Sequence, residues 1–292
     1  MKALYDLPAP AKLNLFLHIV GRRADGYHLL QSAFVLIDWC DTLHVERRAD
    51  GRLARHDLGQ PLPADDLCLR AAGALQAASG TTLGADISID KCLPAGAGMG
   101  GGSSDAATVL LALNRLWGLD WPRPRLQALA LTLGADLPFF VGGTNAFVEG
   151  VGEVLTPIDL PRQWFAVVKP PAGVETRAVF ASPLLVRNTK PVILEGFLAD
   201  AGASHGFGRG SFGRNDMQPP ATSQCAGIAE AAAWLEDRFG NSRMTGSGSA
   251  VFAGAGTGAE PSAAMPQALP QGWVGRMCRS LEQHPLRGLA DG

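Results

Sequence analysis

Little in this chain points to secretion, metal binding or a nucleic-acid partner. Its five cysteines, Cys40, Cys68, Cys92, Cys225 and Cys278, are an odd and scattered set with no CxxC pair and no Cys/His cluster. That pattern excludes a disulfide framework and the ligand spacing of a zinc site, and it predicts a reducing, cytoplasmic setting. No stretch approaches the ~18 uninterrupted apolar residues of a membrane span. The N-terminus carries Asp6 and two prolines where a leader would be basic and then apolar, so neither export nor a membrane span is expected. Charge of one sign is missing too. The 25 Lys and Arg against 27 Asp and Glu leave a net charge of -2, with no basic footprint for nucleic acid or a membrane surface. What is present is a globular composition, 47% hydrophobic and 18% charged, with 36 Gly and 20 Pro supplying many turns. At 292 residues, one core gives way to two, so two domains are expected.

Sheet and helix interleave along the chain. AKLNLFLHIV (11–20) and AFVLIDWCDTLHVER (33–47) are β-rich apolar runs around the turn-forming GRRADGYH. DLCLRAAGALQAA, from Asp66, has helical spacing, and ADISIDKCL, from Ala85, alternates as a strand does. Ala106, Val109, Leu110, Leu113 and Leu116 share one helical face, with Ser103 or Ser104 as the expected N-cap and Gly118 as the stop. A second helix is expected from about Pro124 to Leu133, then strands at TNAFVE and QWFAVVKP, with a domain boundary near Pro161. Residues 196–223 lack a period and are expected as a long loop. A helix through IAEAAAWLEDRF and strands at SAVFAG and WVGRMC follow.

The chemistry-bearing segment is PAGAGMGGGSS, residues 94–104, between an alternating strand and an amphipathic helix. Glycines there let the backbone approach a ligand, and the free N–H groups of a helix N-terminus form an anion site. The plain alternative is a flexible connection, but five glycines within seven residues are costly to order. No lysine follows them as in a Walker loop, and the spacing is not that of a dinucleotide-binding fingerprint. Pro94, Ala95, Gly96, Ala97, Gly98, Met99, Gly100, Gly101, Gly102, Ser103 and Ser104 are therefore the candidate phosphate-binding set, with Ser103 or Ser104 also a candidate ligand of Mg²⁺, and the loop alone does not say which phosphate compound it holds.

PAKLN places Lys12 and Asn14 on one face of a strand amid apolar neighbours. Such a lysine either pairs with a carboxylate or phosphate or snorkels from a sheet edge. GADLPFF supplies Asp136 as a partner, although an aspartate at that junction also reads as an N-cap.

Four segments in order, PAKLNLFLHIVGRRADGYHLLQS, LPAGAGMGGGSSDAATVLLALN, LTLGADLPFFVGGTNAFVEGVGE and SRMTGSGSAVFA, resemble the galactokinase, homoserine kinase, mevalonate kinase and phosphomevalonate kinase (GHMP) superfamily. Within it they are most similar to the kinases acting on 4-diphosphocytidyl-2-C-methyl-D-erythritol in the non-mevalonate isoprenoid pathway. The resemblance covers about residues 8–253. It implies a two-domain α+β GHMP kinase fold: an N-terminal ATP-binding domain like the second domain of ribosomal protein S5 (residues 1–160) and a ferredoxin-like C-terminal domain (residues 161–292). It also implies that the γ-phosphoryl of ATP passes to the tertiary 2-hydroxyl of the cytidyl substrate.

Carried over by resemblance, Asp136 accepts the hydroxyl proton, Lys12 orients it and offsets charge, and Asn14 supports the pair. Tyr27 and His28 resemble residues that recognise cytosine, though DGYH alone also reads as a surface turn. Lys91 matches a lysine near the nucleotide. Thr176 and Asn215 match positions facing the site, and TGSGS, from Thr245, matches the motif that closes it. Asp66 and Asp105 stand where asparagine is expected. Two other readings remain at this stage: another GHMP kinase with a different small alcohol, or a nucleotide-binding regulator without transfer activity. DGYH speaks against the first, and Lys12 with Asp136 against the second.

Overall fold

The computed structural model describes residues 1–59, 61–63, 66–203, 213–266 and 268–290. It opens with two long strands, β1 (Ala3–Arg22) and β2 (His28–Arg48), paired antiparallel along most of their length. There follow β3 (Leu53–Asp57), α1 (Leu67–Ser79), β4 (Gly84–Asp90), α2 (Gly101–Leu116), α3 (Arg123–Leu131), α4 (Leu137–Gly142), β5 (Ala146–Glu149) and β6 (Val154–Pro157). These strands form one sheet of order β3-β4-β2-β5-β6, with β1 paired to β2 off that path. A second sheet, of order β10-β7-β9-β8, combines β7 (Trp164–Lys169), β8 (Arg243–Met244), β9 (Val251–Gly254) and β10 (Val274–Arg279), all antiparallel. Between β7 and β8 lie α5 (Thr176–Ala181), α6 (Leu194–Ala203), α7 (Gln218–Gln224) and α8 (Ala226–Phe239).

Strand alternation turns these elements into layers. Leu36 and Phe34 of β2 face a core built with Leu75, Leu110 and Phe139 of the helices. Val35 and Ile37, one residue out of phase, face Phe165, Val167 and Phe252 of the second sheet. Ala166 and Val168 on the reverse of β7 pack against Ile228 and Leu235 of α8. The order is helices, sheet, sheet, helix, and the fold is the expected α+β architecture, built on two sheets. Irregularities in the β1–β2 register at Pro10/Ala11 and Asn14/Leu17 change which core β1 faces. Leu7 and Ala9 serve the first core, Leu13 and Leu15 the second, and Leu17 and Ile19 the third. Lys12 and Asn14 sit between the two irregularities.

Two expectations need correction. The segment expected as a loop from 196 to 223 holds α6 and α7, while its middle, 204–212, lies outside the described residues. Leu194, Phe197 and Leu198 are spaced at i, i+3 and i+4 and join the inter-sheet core, so burial outweighs the helix cost of Gly196. The residues after β10 also return to the first body. Leu281 N donates to Leu36 O at 2.8 Å, Asn145 Nδ2 to Leu281 O at 2.9 Å, and Arg123 Nη2 to Arg287 O at 2.6 Å, so that Ala290 closes the first core.

Candidate functional site

The glycine loop leaves β4 and enters α2 by alternation. Gly96, Gly98 and Gly100 have φ of 61°, 73° and 72°, in the left-handed region, while Ala97 and Met99 between them are buried in the inter-sheet core. Apolar anchors hold the loop as the glycines turn its backbone. Helix α2 starts at Gly101, with Gly100 as N-cap and no side-chain cap bond, so Ser103 and Ser104 lie in the first turn rather than at the cap. The first backbone bond at this end is Ser104 N to Gly100 O, 2.9 Å, which leaves the N–H groups of Gly101, Gly102 and Ser103 without helical acceptors. They border a cavity of about 430 Å³ lined by Lys91, Pro94 to Gly102, Ser103 and Asp105. Ser104 is fully buried and does not line it.

The other side of the loop opens onto a second cavity of about 310 Å³, containing Lys12, Asn14, Asp136 and Thr176. Gly96, Gly98 and Gly100 line both cavities, so a chain of phosphates on this backbone can reach from one into the other. The loop is sutured to its surroundings by backbone bonds: Lys12 N to Met99 O at 2.9 Å, Ser249 N to Gly96 O at 3.1 Å, and Ala250 N to Ala97 O at 3.1 Å. A Cβ on Gly98 would overlap the carbonyl oxygen of Thr245, so TGSGS is packed directly on the loop.

Lys12 is 3% exposed and its Nζ donates to Asn14 Oδ1 at 2.5 Å, lies 4.5 Å over the Phe34 ring, and stands 3.7 Å from Asp136 Oδ2. Burial pushes its ammonium below the ordinary lysine value, and the Asp136 charge opposes that shift. Asn14 donates in turn from Nδ2 to Ser32 Oγ at 3.0 Å, and its own N–H donates to Thr245 Oγ1 at 2.9 Å. Asp136 occupies the N-cap position of α4 but makes no side-chain cap bond. The capping role is therefore absent. Its carboxylate points toward Lys12 with 35% of the side chain exposed to the cavity side.

The GHMP kinases N terminal domain model matches residues 66–144. A protein of Methylibium petroleiphilum named 4-diphosphocytidyl-2-C-methyl-D-erythritol kinase is 64% identical over 288 residues, covering 98% of each chain. One of the same name from Variovorax paradoxus is 56% identical over 297 residues, covering 99% of this chain and all of that one. This chain belongs to the 4-diphosphocytidyl-2-C-methyl-D-erythritol kinase family. A solved crystal structure of 4-(cytidine 5'-diphospho)-2C-methyl-D-erythritol kinase aligns with a TM-score of 0.73 at 36% identity, covering 87% of this chain and 90% of that one. A homoserine kinase from Cytophaga hutchinsonii aligns at 0.69 and 17% identity over 97% and 96% of the two chains, a likeness of fold alone.

In this family member Lys91 is held by two buried carboxylates. It pairs with Asp41 and, at 2.6 Å, with Asp105, while Asp41 Oδ1 accepts from Cys92 N and Leu93 N at 2.7 Å each. Burial pushes the Asp105 carboxyl up to about 7, with the charge of Lys91 opposing that shift. Asp66 caps α1, accepting from Cys68 N at 2.6 Å and Leu69 N at 3.0 Å, and pairs with Arg55. The unexpected aspartates thus have structural partners as well as a place on the first cavity.

Thr176 Oγ1 lies 2.6 Å from Ser247 Oγ at the rim of the second cavity. Asn215 does not face the cavity: Nδ2 donates to Met244 O and Gly246 O at 2.7 and 2.8 Å, and Oδ1 accepts from Met217 N, so its amide holds the TGSGS turn. Tyr27 is exposed and His28 half-buried, and neither lines the two cavities. His28 stacks on Phe180 with ring centroids 4.8 Å apart and 21° between planes. Sequence reading missed Phe180 and its neighbour Arg187. A signal existed, since Thr176 and Phe180 are four residues apart and share a face of α5. Among the described residues, no helix is long and apolar enough to cross a membrane.

Proposed function

We infer that the chain transfers the γ-phosphoryl of ATP to the 2-hydroxyl of 4-diphosphocytidyl-2-C-methyl-D-erythritol in non-mevalonate isoprenoid precursor biosynthesis. The observation that carries this reading is the pair of cavities meeting at Gly96, Gly98 and Gly100, with Lys12 and Asp136 on the acceptor side. The first cavity takes ATP, its phosphates on the N–H groups of the α2 N-terminus. The second takes the alcohol. Asp136 accepts the hydroxyl proton as oxygen attacks the γ-phosphorus, the bond from that phosphorus to the β–γ bridging oxygen breaks to release ADP, and Lys12, held by Asn14, offsets the developing negative charge. Transfer is direct and in line, positioning and electrostatics supplying the rate. Lys91 lies beside the nucleotide, and Thr176, Tyr27 and His28 serve the cytidyl substrate, with Phe180 as a stacking platform.

Mg²⁺ fits this site through phosphate oxygens and a hydroxyl. Among the described residues no cluster of three His, Cys, Asp or Glu side chains could hold a metal, and Mg²⁺ commonly takes few protein ligands beside phosphates and water. Ser103, on the cavity wall, supplies the hydroxyl in preference to Ser104. When bound, the ion neutralises phosphate charge. In this reading residues 1–160, with the returning chain after β10, form the body that binds ATP, and the second sheet with its helices closes the acceptor side. The test is turnover with ATP and Mg²⁺ on a panel of the cytidyl diphosphate alcohol, methylerythritol phosphate, homoserine and mevalonate. Activity is expected on the cytidyl compound only, and turnover of homoserine or mevalonate at a similar rate would overturn the assignment.

A further inference from the structure

Arg187 follows α5, and three carbonyls hold its guanidinium: Nη1 donates to Leu185 O at 3.0 Å, and Nη2 to Phe180 O at 2.7 Å and Ser182 O at 3.1 Å. The third nitrogen, Nε, donates toward His28 Nε2 from 3.2 Å. A guanidinium has only donors, so the imidazole nitrogen facing it must offer a lone pair. A neutral ring with Nε2 as acceptor carries its proton on Nδ1. Among the described residues, Nδ1 has no hydrogen-bond partner. The same guanidinium fixes the carbonyl of Phe180, whose ring stacks on the imidazole. One arginine therefore sets both the ring's platform and its proton.

We propose that Arg187 is a positioning residue that locks His28 in the Nδ1–H tautomer, so that His28, outside the second cavity, offers a hydrogen-bond donor to a cytidine diphosphate and disfavours its uridine counterpart. The proposal deepens the reading of His28 as a substrate contact and rests on it. Cytosine N3 is an acceptor, whereas uracil carries N–H at the same place. A fixed donor pairs with the first and opposes the second. The charged groups facing His28 are Arg187 and Arg22, both cations, while Phe180 covers one ring face. Burial and then these two charges hold the imidazole below its usual value, so the ring stays neutral at pH 7.

The test has two arms on the full chain. Nitrogen-15 NMR of the wild type, with His28 assigned by the His28→Gln variant, reads the tautomer without any ligand. Titration with cytidine diphosphate and uridine diphosphate, under saturating ADP to fill the nucleotide cavity, reads the selectivity. The expected results are a protonated Nδ1 and bare Nε2 in the wild type, and a preference for cytidine that shrinks about 10-fold in Arg187→Met. Arg187→Gln, which keeps an N–H donor, should retain more of that preference, and ADP affinity should be unchanged in both. A protonated Nε2 in the wild type overturns the tautomer lock, whatever the variants do. A correct tautomer with an unchanged cytidine preference in folded Arg187→Met overturns the selectivity role. Wild-type cytidine diphosphate affinity in His28→Ala would sink the reading of His28 beneath the proposal, a failure distinguishable because the NMR result would still stand.

Discussion

Replacing Asp136 with Asn removes a carboxylate and keeps its shape, and the surroundings allow the consequences to be separated. No cap bond is lost, because Asp136 makes none. The lost attraction to Lys12 at 3.7 Å is about 4–5 kcal/mol at an effective dielectric constant of ~20. Asp136 is partly solvated, however, and Lys12 keeps Asn14 and Phe34, so the net loss of stability should be about 1–3 kcal/mol. That lowers the melting temperature by a few degrees. Turnover should fall far more, by roughly 10²–10⁴, the usual worth of a general base. The Lys12 ammonium, already lowered by burial, drops further without the opposing carboxylate, so the alkaline limb of the residual activity should move to lower pH. Steady-state kinetics and thermal melts on one preparation measure all three effects. Adding Lys12→Met should cost less than the product of the single losses, since the two act as a unit. Turnover within tenfold of wild type, in a folded Asp136→Asn protein, would refute the base and leave positioning and charge neutralisation to explain the rate.

Two other predictions follow from packing and from charge. Gly98→Ala should destabilise the protein far more than Gly118→Ala in chemical denaturation. Both have φ near 70°, and left-handed backbone costs about 1–2 kcal/mol, but only at Gly98 would Cβ meet Thr245 O. Equal losses would show that TGSGS is not packed on the loop as described. Asp105, raised in the folded protein to about 7, favours folding most below its unfolded value near 3.8, and that contribution is lost as pH rises toward 7. Stability relative to Asp105→Asn should therefore decline between about pH 4 and 7, by at most ~4 kcal/mol, and parallel pH curves would contradict it.

The segments that carry chemistry were legible because their local rules agree with the fold. The apolar alternation of β1, β2 and β7 marks strands, and the face from Ala106 to Leu116 marks α2. The start of α2 was not legible: serine is the better cap by propensity, but the turn from the loop needs left-handed φ at Gly100, where a Cβ would sit 2.8 Å from Phe140. Helix α6 was hidden by Gly196 and Gly202, because the burial of Phe197 that stabilises it is a tertiary fact. Asn215 illustrates the same limit at the site. Its type and position allow a ligand contact, and only the carbonyls of Met244 and Gly246 reveal that its amide is engaged elsewhere. Gly101, next to Gly100, needs no left-handed φ. It is an ordinary helical residue whose Cβ would meet Leu93 at 3.3 Å.

The return of the chain after β10 orders events during synthesis. Ala290 belongs to the same core as Leu36, Leu75 and Leu110, and the carbonyls of Leu281 and Arg287 accept from Asn145 and Arg123. Domains commonly fold as they emerge, N-terminal first. Here the first body leaves the ribosome with one wall of its interior still inside the tunnel. Its sheet and helices can assemble early, but their final closure must wait until the second sheet has been made and the last turn of chain comes back across α2.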